Sequence, residues 1–199
     1  QRYPRAGRPN AVVQVWVHDR QTGERRQVDL GSNADIYVPR VNWSADGSTL
    51  YVQRQSRDQR TLEILAVDPA TGSGQVILTE TSDHWVDLTD DFKPLEDGGF
   101  LWTSDRDGNR HIYRYNRANH LMHQVTAGDW PVRGIQHVDE DAGLVYFMAS
   151  TETPVEQHLY VTSMEPQPQM ASGGPVLVAE PRRLTSGEGW WTADVGEGG

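Results

Sequence analysis

Residues 100–116, FLWTSDRDGNRHIYRYN, place two runs of alternating apolar and polar residues on either side of a polar centre, SDRDGNR. Asp107-Gly108 between two strand-like runs is a strong hairpin signal. The run HIYRYN (111–116) has counterparts upstream, LEILAVD (62–68) and VQVWVHD (13–19), and downstream, HLYVTS (158–163). Their closing polar residues, Asp19, Asp68, Asn116 and Ser163, stand 49, 48 and 47 positions apart. The segment that follows repeats as well: RRQVDLG (25–31), GQVILTE (74–80), MHQVTAG (122–128) and PRRLTSG (181–187). So does the segment before, as STLYVQRQS (48–56), GFLWTSDRD (99–107) and GLVYFMAS (143–150). A further short run precedes each of these: VNWSA (41–45), DDFKPL (90–95) and GIQHVD (134–139). An aromatic residue recurs after the last run of each unit, at Tyr37, Trp85, Trp130 and Trp190-Trp191.

Period-two alternation over short runs predicts half-buried antiparallel strands, and no stretch has a convincing helical period. Four such strands per repeat of about 48 residues is the signature of a β-propeller blade. A β-sandwich is the other all-β reading, but it needs no repeat in register. The fold class expected is therefore all-β, a partial β-propeller treated as a single domain over residues 1–199. Three complete four-stranded antiparallel blades are expected at residues 41–79, 88–126 and 132–185. Residues 11–31 read as a blade remnant and 190–195, WWTADV, as the first strand of the next blade. The connection 164–181, rich in Pro, Gly and Ser, reads as a loop insertion with a possible extra strand at PVLVA. Complete propellers have typically four to eight blades, so this count predicts a fragment. Its open ends would expose strand edges and apolar faces, and a homodimer through those edges is expected.

Charge and composition narrow the function classes. The net charge is −10, which argues against a nucleic-acid partner, since that needs a basic face. No run approaches the ~18 apolar residues of a membrane span, so no membrane partner is expected. There is no cysteine, and hence no disulfide framework, thiolate metal site or cysteine nucleophile. The chain starts at Gln1 without a basic and apolar leader, which predicts a removed leader or an excised piece.

Two stretches carry a family resemblance. YPRAGRPN (3–10) resembles the YP-[KR]-AG-x-x-N segment of the dipeptidyl peptidase IV family of serine peptidases, ahead of a similar VxVWV strand. HWVDLTDDFKPLEDGGFLWTSDRDGNRHIYRYN (84–116) and VTAGDWPVRGI (125–135) are similar to consecutive segments of the bacterial members, so that the resemblance runs over roughly residues 3–191. It implies part of the N-terminal propeller of an exopeptidase that removes X-Pro or X-Ala dipeptides. It also implies a catalytic Ser-His-Asp triad on an α/β-hydrolase domain. No G-x-S-x-G nucleophile turn occurs in these residues. The family's Glu-Glu pair, which binds the substrate amino terminus, lies upstream of the YPRAG segment. This chain alone is therefore expected to be inactive, with peptide substrates engaged through a hydrolase domain elsewhere in the parent. A periplasmic or secreted location follows from the family's bacterial members.

The family's substrate-pocket aromatic and arginine match Thr89 and Asp90 here, and neither residue type agrees. Asp105, Arg106, Asp107, Gly108 and Arg110 form the structural repeat motif: Asp107-Gly108 turns the chain, Ser104, Asp105 and Asn109 can bond backbone, and the arginines can meet carboxylates. Asp90-Asp91 and Glu140-Asp141 read as acidic turns. His120-x-x-His123 lacks a third ligand, His111 and His158 hold equivalent repeat positions, and Asp83, Asp87, Asp90 and Asp91 lack the ordered loop of a Ca²⁺ site. No metal or other cofactor is expected. The alternative function is a non-enzymatic protein-binding propeller.

Overall fold

The computed structural model describes residues 7–165 and 178–196. The chain packs as two compact units, one ending at Leu88 and one beginning at Thr89. Among the described residues all regular structure is β-strand.

The first unit opens with a two-stranded antiparallel sheet, Trp16–His18 (β1) against Arg25–Gln27 (β2). Asp19 caps the turn between them, its carboxylate accepting from the amides of Gln21 (2.7 Å) and Thr22 (3.1 Å). Ile36–Tyr37 (β3), Val41–Trp43 (β4), Leu50–Ser56 (β5), Thr61–Val67 (β6) and Gly74–Thr81 (β7) make a second sheet. Here β5, β6 and β7 follow one another antiparallel, and β3 and β4 share the other edge of β5. Leu50 and Val52 of β5 and Leu65 and Val67 of β6 stand at alternate positions of paired strands and so share a face. That face buries Val28, Leu30 and Ile36, which ties the remnant to the sheet. Contact there is close enough to require a glycine. Gly72 sits at φ +77°, a Cβ on it would lie 2.1 Å from the Gln27 carbonyl oxygen, and its own carbonyl accepts the Asp29 amide at 2.9 Å.

The second unit holds two four-stranded antiparallel sheets, each built from consecutive strands. One comprises Lys93–Pro94 (β8), Phe100–Ser104 (β9), His111–Tyr115 (β10) and Leu121–Gln124 (β11). The other comprises Val132–Asp139 (β12), Leu144–Ala149 (β13), His158–Ser163 (β14) and Arg182–Arg183 (β15). Between them lies a core of Leu101 and Ile112 from the first sheet, Val125 just after β11, and Val132, Ile135, Val145, Phe147 and Tyr160 from the second. The opposite face of β9 and β10 carries buried rings, with Phe100 stacked on Tyr115 at 4.7 Å and tilted against Phe92 at 5.2 Å.

Several strands are shorter than their sequence runs suggest. DDFKPL yields only the two residues of β8, because Pro94 has no amide to donate and suits an edge position. WWTADV contributes a single parallel bridge, Gln157 with Trp190, and residues 191–196 form no strand. Most of PVLVA, and the YPRA of the first resemblance, fall outside the described residues.

Candidate functional site

The SDRDGNR turn is a polar cluster between β9 and β10. Gly108, at φ +93°, donates its amide to the Asp105 carbonyl at 3.0 Å. Asp105 and Arg110 form an ion pair at 2.9 Å. Arg106 lies over the Tyr113 ring, 4.4 Å from its centre, and donates to the Tyr115 hydroxyl (2.8 Å) and the Ser104 hydroxyl (2.9 Å). Asp107 accepts from the Tyr113 hydroxyl, and Asn109 donates to Asp129 at 3.2 Å. An aromatic and hydroxyl cradle of this kind suits a planar, delocalised cation.

His111 and His158 hold matching places at the starts of β10 and β14, and each meets a threonine. Nε2 of His111 faces the Gly128 carbonyl oxygen at 2.9 Å and must donate, so Nδ1 accepts from the Thr126 hydroxyl at 3.2 Å. Thr126 Oγ1 accepts in turn from the Ile112 amide at 3.0 Å. Burial pushes the His111 pKa below its ordinary value, against the Gly128 bond and the charges of Asp107 and Asp105. In the other sheet His158 Nδ1 meets Thr185 at 3.0 Å, the Leu159 amide donates to Thr185 Oγ1 at 3.2 Å, and Nε2 faces the Glu156 carboxylate at 3.0 Å. The two latches differ in what Nε2 meets. His123 is committed to the Met164 carbonyl at 2.7 Å, and His120 is exposed in the preceding turn.

Thr89 and Asp90 open the second unit. The Thr89 hydroxyl is 3.4 Å from that of Thr103, and Asp90 is exposed. Their neighbour Asp91 is buried and spans the two sheets. Its Oδ1 accepts from the Ile135 amide at 2.8 Å and its Oδ2 from the Thr103 hydroxyl at 2.9 Å. Asp90-Asp91 alone suggests an exposed acidic turn, and the burial of Asp91 has no signal in the sequence. Among the described residues no group of three or more His, Asp or Glu side chains is arranged to hold a metal ion. A polar cavity opens beside β12, lined by Arg133, Gln136, Gln157 and Asp194. Nothing in the repeat pattern singles these residues out, because they come from three separate segments.

Residues 1–194 match the family model described as the dipeptidyl peptidase IV (DPP IV) N-terminal region. A probable dipeptidyl-aminopeptidase B of Coccidioides posadasii (strain C735) is 30% identical over 181 residues, covering 82% of this chain and 20% of that relative. A probable dipeptidyl peptidase 4 of Aspergillus flavus is 27% identical over 173 residues, covering 81% of this chain and 22% of the relative. The chain thus spans about a fifth of the length of these relatives. Among solved structures, dipeptidyl peptidase 4 of Porphyromonas gingivalis superposes with a TM-score of 0.81 at 26% identity, over 94% of this chain and 25% of that one. With the all-β repeats these findings make the fold a partial β-propeller, and the chain belongs to the family of dipeptidyl peptidase IV N-terminal regions.

Proposed function

We propose that this chain is the non-catalytic propeller portion of a dipeptidyl peptidase IV-like serine exopeptidase whose intact form releases N-terminal X-Pro and X-Ala dipeptides. The propeller limits the size of what enters and shapes the path of the peptide toward a hydrolase domain carried elsewhere in the parent. The observation that carries this reading is the family match, which runs through every sheet. The peptidase names of the relatives support it. Thr89 and Asp90 belong to it as pocket residues that approach the substrate with a hydroxyl and a carboxylate. The parent works in the periplasm or outside the cell.

Cleavage of Gly-Pro-p-nitroanilide by this chain and by the full-length parent tests the reading. Activity in the parent and none in the chain is the expected result. A well-folded parent that is silent on this substrate would remove the peptidase role and leave a protein-binding propeller.

A further inference from the structure

The cavity beside β12 has a volume of about 280 Å³. Arg133 and Gln136 of β12, Gln157, and Thr192 and Asp194 of the C-terminal segment surround it, and Met148 lies against it. Ligand pockets for drug-sized molecules are about 300–1,000 Å³, so whatever fits here is small. The strand that brings Arg133 is irregular at this point, its register with β13 shifting between Val132 and Gly134. Such a bulge re-aims a side chain.

Arg133 is weakly held. Its Nε reaches the Ser150 hydroxyl at 3.4 Å, and its guanidinium stands 5.8 Å from the Trp190 ring centre. Its terminal nitrogens have no hydrogen-bond or ion-pair partner among the described residues, and neither has the Asp194 carboxylate. A cation and an anion thus share one cavity without pairing. Two carboxamides, of Gln136 and Gln157, line the same cavity. Gln157 is fixed by a bond from its Nε2 to the Trp191 carbonyl at 2.9 Å, which leaves its Oε1 as a free acceptor among the described residues.

We infer that this cavity binds a zwitterionic short peptide of about dipeptide size. The carboxylate lies on Arg133, whose planar fork matches it. The ammonium lies on Asp194, and the peptide unit between them meets the carboxamides of Gln136 and Gln157. The inference rests on the peptidase reading for the source of such a ligand, since that reaction releases zwitterionic dipeptides.

Titration of the 199-residue chain with Gly-Pro, Gly-Pro-amide, N-acetyl-Gly-Pro and free glycine tests it, followed by calorimetry and by the indole N–H resonance of Trp190. Gly-Pro is expected to saturate the Trp190 shift, and removing either terminal charge to weaken binding about tenfold. Arg133→Gln should abolish the difference between Gly-Pro and its amide and keep the penalty for N-acetylation. Asp194→Asn should do the reverse. Both side chains are exposed, so both variants fold, and the native chain with the four ligands decides the matter without them. Equal binding of the three peptides, or no saturation by Gly-Pro, would overturn the inference. Glycine binding as tightly as Gly-Pro would overturn the assignment to a peptide. The readout needs no peptidase activity: an active parent with no dipeptide binding removes this inference alone, and binding with an inactive parent removes the peptidase reading alone.

Discussion

The amide of Ile135 donates to the carboxylate of Asp91 at 2.8 Å, joining two sheets through residues 44 positions apart. The second oxygen of the same carboxylate holds Thr103, so one side chain fixes the β12 edge against β9. Asp91→Ala leaves a buried amide without a partner, which costs about 1–3 kcal/mol. Asp91→Asn keeps one acceptor and should cost less. Urea unfolding of the three proteins, at matched m-values, measures both differences. An alanine variant as stable as the parent would show that the bridge holds nothing together.

The His111 latch gives a pH dependence with a definite sign. Burial lowers the folded-state pKa below the ordinary 6.5, so the unfolded chain binds the proton more readily. The contribution of this group is present in full above about pH 6.5. It is lost as the pH falls from there toward the lower folded-state value. Thermal melts of the parent and of His111→Gln between pH 7.5 and pH 5 check this. The parent should lose stability across that range more steeply than the variant. Parallel curves would refute the assignment.

Arg106 is expected to be irreplaceable by lysine. An ammonium can keep one hydrogen bond and part of the contact with Tyr113, but not the simultaneous donation to Ser104 and Tyr115. Arg106→Lys should cost about 1–2 kcal/mol, a cation–π contact plus a side-chain hydrogen bond. Differential scanning calorimetry measures the loss. Because the turn is a structural cluster, the same variant should bind the dipeptide probes as the parent does.

Self-association is the fourth expectation. Trp16 is 52% exposed on the two-stranded sheet and Trp190 57% exposed near the end of the chain, and apolar surface beside an unpaired strand invites a partner. Sedimentation should show a dimer whose fraction rises with concentration. A constant monomer mass would rule it out.

The blade pattern was legible because alternation and turn chemistry are local. Asp107-Gly108 and the runs around it are enough to predict β9 and β10. What could not be read depended on distance. The sharing of one β5 edge by β3 and β4 is set by packing between segments that carry no complementary pattern. Asp91 looks like its neighbour Asp90, and only the approach of Ile135 separates a buried bridge from an exposed carboxylate. The cavity lies further still from legibility, since Arg133, Gln157 and Asp194 meet only after the second unit has folded. The repeated histidine was visible as a repeat, but its threonine partner lies 15 residues on in one sheet and 27 in the other, across a connection of different length.

Both sheets of the second unit are assembled from strands in the order in which they are synthesised. Each can therefore zip up as it leaves the ribosome, hairpin by hairpin, without waiting for a distant strand to arrive. The Asp91 bridge and the His123 bond to Met164 can form only when the second sheet is present, so they act as late fastenings rather than as nuclei. Substitutions there should speed unfolding and leave the folding rate nearly untouched.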